Sequence, residues 1–134
     1  MVCPHCSSNT QVINSRLQKR ANSVWRRRKC IQCEAIFTSR EVADLSAAWR
    51  VIHQKTGLQP FLRDKLFLSL YKSLQHRHTA LTDAGDLTDT IIGQLTRTKT
   101  DGPLSPAAIV QAVTTVLSRF DTVAQVHYQA FHRS

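Results

Sequence analysis

The pattern of apolar and polar positions changes once along this chain, close to residue 46. Before that point, three short stretches show no helical period and predict β-strands: Thr10 to Leu17, Ser23 to Lys29 and Ala35 to Val42. Beyond it, apolar residues recur every three or four positions, which is the spacing of amphipathic helices. The sequence therefore predicts an α+β protein with a strand module at residues 1–45 and a mainly helical module at residues 49–134.

The helical module is predicted to begin with a β-hairpin. Trp49 to Ile52 has the composition of a strand, Gly57 suits the positive φ of a tight turn, and Pro60-Phe61 ends the return strand. Just before the hairpin, Ser46-Ala47-Ala48 is interpreted as a short, weakly structured link between the modules.

Four apolar stripes predict four helices after the hairpin, and such stripes are by default core. They lie at Leu62–Leu74, Leu87–Leu95, Ile109–Phe120 and Val123–Phe131. Gly102-Pro103 interrupts the chain before the third helix. Ser105 is a typical N-cap residue followed by Pro106 at the first helical position, and Asp121 is the expected cap of the last helix.

The four cysteines form two Cys-x-x-Cys pairs, and twenty-three residues separate the pairs. Each pair can form a tight knuckle whose two sulfurs converge on one tetrahedral ion, while the intervening strands bring the knuckles together. The expected ligands of one Zn²⁺ ion per chain are Cys3, Cys6, Cys30 and Cys33. With four thiolates present, His5 inside the first knuckle is expected to be an exposed spacer.

Three other uses of the cysteines fit less well. Two disulfides need an oxidising compartment, whereas no secretory h-region precedes Cys3 and no apolar run reaches membrane length, so reduced thiols in the cytoplasm are expected. A thiol–disulfide oxidoreductase needs a strand before its Cys-Pro-His-Cys motif, and a motif at residue three leaves no room for one. Four buried apolar cysteines would not require this paired spacing.

The composition favours a folded protein with a polyanionic partner. The chain has 134 residues, 42% of them hydrophobic, and a formal net charge of +9. Membrane-surface binding needs a basic amphipathic helix or a lipid anchor, and the termini show neither signal. No paired carboxylates and no Ser/His/Asp order stand out, so an enzyme is not expected.

Basic residues are concentrated in the strand module, in a run from Arg16 to Lys29 that contains no acidic residue. Such a run is commonly a solvated face, but on metal-held strands beside an aromatic residue it favours contact with nucleic acid. Arginine pairs bidentately with guanine edges and with phosphate. The expected nucleic-acid-binding residues are Arg16, Lys19, Arg20, Trp25, Arg26, Arg27, Arg28 and Lys29.

Two ordered sets of motifs carry a resemblance to a known family. The first set is Cys3-Pro4-x-Cys6, Val12-Ile13-Asn14-Ser15-Arg16-Leu17, Arg26-Arg27-Arg28-x-Cys30 and Phe37-Thr38-x-x-Glu41-Val42-Ala43. The second set is Arg50-Val51-Ile52, Pro60-Phe61, Lys65-Leu66, Val123-Ala124 and Arg133-Ser134. Over nearly its whole length the chain resembles the NrdR family, bacterial transcriptional repressors of ribonucleotide reductase genes. The second module is similar to the ATP-cone, a nucleotide-sensing domain.

This resemblance implies a fold and a mechanism. A zinc ribbon would bind operator boxes in double-stranded DNA. An ATP-cone of a hairpin and about four helices would bind ATP or dATP as a regulatory ligand and change the homo-oligomeric state, which in turn changes DNA affinity. The resemblance places nucleotide-binding residues at Val51, His53, Gln54, Lys65, Gln125 and His132.

The chain departs from the family pattern in both modules. Asn14 stands where the family has aspartate, and Trp25 stands where it has the first of four arginines, which leaves the basic strand usable. In the cone, His53 replaces a lysine, and Gln125 and His132 replace two tyrosines. An imidazole is mostly neutral at pH 7 and does not replace a fixed cation against a triphosphate, so weaker triphosphate binding is expected.

One alternative function remains from the sequence. The same ribbon suits a structural protein that binds RNA or a polymerase, with a degenerate cone that binds no nucleotide. RNA recognition often uses aromatic stacking on unpaired bases, and Trp25 offers a ring for it.

Overall fold

The computed structural model describes residues 1–99 and 101–132, so the Arg133-Ser134 pair of the family resemblance lies outside the described residues. The chain divides into two compact units, with the division between Ala43 and Asp44. Strands form the first unit, and a hairpin with helices forms the second. The predicted α+β class is confirmed.

The first unit is an antiparallel sheet of three strands in the order β1-β2-β3. These strands are β1 (Thr10–Gln18), β2 (Ser23–Cys30) and β3 (Ile36–Val42), as the sequence predicts to within a residue or so. A register shift falls between Val12 and Asn14. Such a shift adds one residue to β1 and increases its local twist.

The second unit begins with a short helix, α1 (Leu45–Ala48), where the sequence reading expects a weakly structured link. That expectation is wrong because Asp44 is an N-cap. Its carboxylate accepts a hydrogen bond from the Ser46 N–H at 3.1 Å, and the Trp49 N–H closes the turn on the Leu45 carbonyl at 2.8 Å.

A two-stranded hairpin follows, with β4 (Arg50–His53) and β5 (Gly57–Pro60). Gly57 takes φ of +82°, which is the positive value expected for this turn. Leu104 adds a parallel bridge beside β4, because its N–H donates to the Arg50 carbonyl at 2.8 Å and its carbonyl accepts from the Ile52 N–H at 2.9 Å. The segment after Gly102-Pro103 therefore returns to the hairpin before the next helix.

Four longer helices complete the described part of the second unit, as the apolar stripes predict: α2 (Arg63–Ser73), α3 (Ala80–Thr98), α4 (Pro106–Phe120) and α5 (Thr122–Phe131). Their inward faces form one core. Its fully buried large side chains include Leu70, Leu74, Ile91, Val113 and Leu117. Helix α3 begins well before its predicted stripe, since Ala80 and Ala84 are small core residues that a search for large apolar side chains overlooks. None of the helices in the described residues is both long and apolar enough to span a membrane.

The predicted caps of α4 and α5 are confirmed. The Ser105 hydroxyl accepts from the Ala108 N–H at 3.1 Å, and the Asp121 carboxylate accepts from the Ala124 N–H at 3.0 Å. Asp121 also contacts His76 Nε2 at 2.9 Å and Arg77 Nη1 at 3.1 Å. These hydrogen bonds, the one from Ala124 foremost, lower the pKa of the Asp121 carboxyl from 3.8 to about 2. One carboxylate thus joins the start of α5 to the segment between α2 and α3.

We predict that Asp121 makes the helical unit acid-sensitive. Because the pKa of Asp121 is depressed in the folded state, its contribution is complete above about pH 4 and is lost as the pH falls through about 2. Asp121→Asn keeps a capping side chain but loses the charge, so it should cost about 2 kcal/mol at neutral pH. Denaturant unfolding of the full chain, followed by helical circular dichroism, measures this. The same acid sensitivity in wild type and Asp121→Asn would contradict the assignment.

Candidate functional site

The four thiol groups of the first unit meet at one point. All four sulfurs lie within 4.8 Å of one another, with Cys3 Sγ at 3.7 Å from Cys33 Sγ and Cys6 Sγ at 3.4 Å from Cys30 Sγ. Four thiolates at Zn–S distances of 2.3 Å define a tetrahedron with edges of about 3.8 Å. The soft donor set and these separations fit one tetrahedral zinc ion.

The two knuckles that hold the sulfurs have the same backbone geometry. The Cys3 N–H donates to the Ser8 carbonyl at 2.8 Å, and the Cys30 N–H donates to the Ala35 carbonyl at 2.9 Å, each five residues on. The residue after the second cysteine of each pair has positive φ, 63° at Ser7 and 62° at Glu34. This left-handed residue turns the chain back after each pair, so both pairs present their sulfurs to the same point.

Backbone and side-chain donors surround the sulfurs. The N–H groups of Gln32 and Cys33 each lie 3.4 Å from Cys30 Sγ. The hydroxyl and N–H of Ser8 lower the pKa of the exposed Cys6 thiol to about 6. The Ala35 N–H lowers the pKa of the Cys33 thiol, but desolvation and the neighbouring Cys30, Cys6 and Cys3 thiols outweigh it and raise that pKa to about 12. The exposed His5 gives its backbone N–H to Cys3 Sγ at 3.4 Å, and its ring is not among the grouped ligand atoms.

The register of the sheet sorts the basic residues onto two faces. Residues directly opposite each other in an antiparallel pair share a face, and neighbours along a strand alternate. Trp25 lies between Arg16 and Arg40, and Arg27 lies between Asn14 and Thr38. We name this side of the sheet the Trp25 face; its cationic members are Arg16, Arg27, Lys29 and Arg40.

The opposite side, which we name the Arg26 face, carries the other two arginines of β2. Arg26 donates from Nη1 to the Ser15 hydroxyl at 2.9 Å and forms an ion pair with Glu41 at 3.5 Å. Arg28 donates from Nε to the Ser39 hydroxyl at 2.9 Å. Both side chains are half-buried, whereas Trp25 and Arg27 are exposed. The structure thus does not bring all the predicted nucleic-acid-binding residues to one surface.

The remaining basic residues of the run lie away from both faces. Lys19 and Arg20 belong to the turn between β1 and β2 and are exposed. The sequence reading missed Arg40, because Arg40 lies on β3 outside the acid-free run. Only the register of β3 against β2, which places Arg40 opposite Trp25, reveals it.

Within the second unit, a cavity of about 800 Å³ opens between the hairpin and helices α2, α4 and α5. Four of the six predicted nucleotide-binding residues line it: Val51, His53, Lys65 and His132. Gln54 lies in the hairpin turn and Gln125 on α5, and neither is among the lining residues.

The cavity combines apolar walls with positive charge. Its polar lining includes Lys65, Lys72 and three histidines, and no Asp or Glu is among its lining residues. Lys72 and His127 were missed by the sequence reading. Lys72 follows Lys65 by seven positions on α2, so it lies on the same helix face, and that spacing is a signal the sequence does contain. The charge pattern suits an anionic ligand.

Two of the lining histidines are held by local contacts. His53 Nδ1 lies 3.3 Å from the N–H groups of both Lys55 and Thr56, so the ring stabilises the hairpin turn. The His132 ring stacks on Tyr128 at 4.1 Å between centroids, and its Nδ1 lies 3.1 Å from the Tyr128 carbonyl. Burial raises the pKa of Tyr128 to about 12, so its hydroxyl stays neutral. The stacked pair is part of the cavity lining.

Comparison with known proteins agrees with this architecture. Residues 1–41 match the family described as "Transcriptional repressor NrdR-like, N-terminal domain", a zinc ribbon. Over 135 aligned residues the chain is 33% identical to the transcriptional repressor NrdR of Syntrophotalea carbinolica. That alignment covers 99% of this chain and 84% of the relative. The ribbon and the helical unit therefore match in one continuous alignment, and the chain belongs to the NrdR family of transcriptional repressors.

Proposed function

We propose that this chain is a zinc-dependent repressor whose ribbon binds double-stranded operator DNA and whose second unit senses ATP or dATP. One observation carries the first half: the basic strand β2 ends on a metal-ligand residue, Cys30. Zinc binding and the presentation of the arginines thus depend on the same backbone. The proposal assigns the protein to the cytoplasm, where thiols stay reduced and DNA is present.

The role proposed for zinc is structural. Many apolar side chains of the sheet stay exposed, among them Val12, Leu17 and Ile36, so the described first unit buries little apolar surface of its own. Sheets of this size gain much of their folding free energy from a bound metal. All four protein ligands are thiolates, which leaves no open position for a reacting water and matches structural rather than catalytic zinc sites. We propose no enzymatic turnover.

The role proposed for the cavity is nucleotide binding. Its volume, its apolar walls and its two lysines suit an adenine nucleotide, with the phosphates near Lys65 and Lys72. We propose that ATP and dATP favour different homo-oligomers and that the oligomer sets the affinity for DNA, with ribonucleotide reductase genes as the targets. Occupancy of the cavity would shift that equilibrium only by the difference in affinity between the oligomeric states.

We predict that Cys30→Ser abolishes zinc binding and unfolds the sheet. Removing one of four thiolates leaves an incomplete site, while the helical core contains no part of it. Metal analysis should fall from one zinc per chain to none, and helical circular dichroism should be retained. His5→Ala is the matched control within a knuckle and should keep zinc. Stoichiometric zinc in a Cys3→Ser/Cys30→Ser double variant would exclude the four-thiolate site.

We predict that the wild-type protein binds duplex DNA with a steep salt dependence. Each phosphate contact that displaces a counterion contributes about −0.9 to the slope of log affinity against log salt. Fluorescence anisotropy measures the salt slope with a duplex. A second titration with single-stranded RNA of equal length, at matched salt, measures the preference between the two nucleic acids. Preference for the single-stranded RNA would favour the alternative function, in which the exposed Trp25 ring stacks on unpaired bases.

We predict that Lys65→Ala and Lys72→Ala each weaken ATP binding about tenfold, because each removes a charge-assisted contact to phosphate. Lys55→Ala is the matched control, since Lys55 lies in the hairpin turn and does not line the cavity. Calorimetry with ATP and dATP measures the affinities. If wild type binds neither nucleotide at millimolar concentration, the nucleotide proposal fails while the DNA proposal stands.

A further inference from the structure

We propose that the Trp25 face is the surface that contacts duplex DNA, and that Arg26 and Arg28 stabilise the sheet through cross-strand contacts on the Arg26 face. The inference rests on the proposed DNA-binding function and assigns it to one side of the sheet. It divides three consecutive arginines, which a reading of the sequence treats as a single basic patch, between two different roles.

The Trp25 face concentrates positive charge without opposing charge. The one acidic residue within the three strands is Glu41, and its register opposite Val24 places it on the Arg26 face. The Trp25 face therefore carries Arg16, Arg27 and Arg40, together with Lys29, and no carboxylate from the sheet. The Trp25 face thus has the larger excess of positive charge, with four cationic residues and no carboxylate from the strands, against two arginines and Glu41 on the Arg26 face.

Exposure follows the same division for the tryptophan and arginine side chains of β2, although Lys29 on the Trp25 face is half-buried and Glu41 on the Arg26 face is exposed. Along β2 and β3 the side chains of Trp25, Arg27 and Thr38 are exposed, whereas those of Arg28, Phe37 and Ser39 are half-buried. The side chains of Trp25 and Arg27 are therefore accessible to a ligand as they stand. An arginine on the Arg26 face would first give up hydrogen bonds to serine hydroxyls, and Arg26 would also give up its ion pair with Glu41.

The contacts of Arg26 and Arg28 connect all three strands. Arg26 reaches from β2 to Ser15 on β1 and to Glu41 on β3, and Arg28 reaches from β2 to Ser39 on β3. Each contact crosses from the central strand to an outer one. Such cross-strand contacts hold the strands together on the side away from the ligand.

The dimensions of the sheet indicate which exposed residues contact the phosphates and which contact the base edges. Neighbouring strands lie about 4.8 Å apart, and the major groove admits an α-helix or a two-stranded β-ribbon, so a three-stranded sheet does not enter it whole and its outer strands stay at the groove edges. Arg16 and Arg40 on the outer strands then face the phosphates at the two groove edges. Arg27, on the central strand, faces the base edges, where an arginine reads guanine.

Three single substitutions on one strand test the inference: Arg26→Gln, Arg27→Gln and Arg28→Gln. Each substitution removes one positive charge from one of three neighbouring positions, so the change in the net charge of the protein is the same in all three variants. The probes are a duplex selected from a random-sequence pool by the wild-type protein and a scrambled duplex of equal length and composition. Arg27→Gln should lose at least about tenfold in affinity for the selected duplex and most of the preference over the scrambled one.

The two variants on the Arg26 face should keep more of their affinity for DNA but hold zinc less firmly. Arg26→Gln and Arg28→Gln should each bind the selected duplex at least about tenfold more tightly than Arg27→Gln does. Both should also release zinc to a chelator faster than wild type. Arg16→Gln and Arg40→Gln should weaken both duplexes alike and reduce the salt slope by about one. Zinc content, measured on every variant, identifies any that fails to fold, and the corresponding lysine variant then replaces it.

Two negative results are distinguishable. If wild type binds no duplex, the proposed function fails and the inference fails with it. If wild type binds duplex DNA and Arg26→Gln or Arg28→Gln loses as much affinity as Arg27→Gln, DNA binding stands and the assignment to the Trp25 face is overturned.

Discussion

The convergence of four thiolates on one point is the constraint on which the rest of the first unit depends. The two cysteine pairs are separated by twenty-three residues, and closing a loop of that length costs conformational entropy that the sparse apolar contacts of the sheet do not offset. Two knuckles of the same backbone geometry bring the sulfurs within 4.8 Å of one another. A metal bound there links the end of β2 and the turn that follows it to the first residues of the chain.

That constraint also sets the chemistry of the sheet. Because Cys30 is the last residue of β2, its position fixes which residues of that strand face each way, and side chains then alternate from Lys29 back to Trp25. The position of the metal site and the composition of the Trp25 face are therefore set by the same strand. The second unit has a core of its own, and its cavity brings two lysines and three histidines together without a lining carboxylate.

Several features could be predicted from the sequence because their causes are local. The cysteine spacing, the Ser105 and Asp121 caps and the positive φ at Gly57 each depend on a few neighbouring residues. The short helix after Asp44 was also local, and it was missed because the small residues that follow were interpreted as a link.

The features that sequence reasoning missed depend on contacts between distant segments. Arg40 lies on the Trp25 face only because of the register of β3. The hydroxyl groups that accept hydrogen bonds from Arg26 and Arg28 likewise lie on neighbouring strands. Lining of the cavity likewise depends on how α2, α4 and α5 pack around the hairpin. The stripe on α2 identified its buried side but not that Lys72 lines the cavity together with Lys65. Of the six residues that the resemblance placed in the nucleotide site, Gln54 and Gln125 do not line the cavity.

The most direct test of this account is a zinc titration of metal-free protein followed by three signals at once. Zinc content, duplex binding and helical circular dichroism would be measured at each addition. The account predicts that duplex binding returns in proportion to zinc and saturates at one ion per chain, while the helical signal stays constant throughout. Duplex binding by the zinc-free protein, or saturation at a different stoichiometry, would contradict the claim that one four-thiolate site organises the DNA-binding surface.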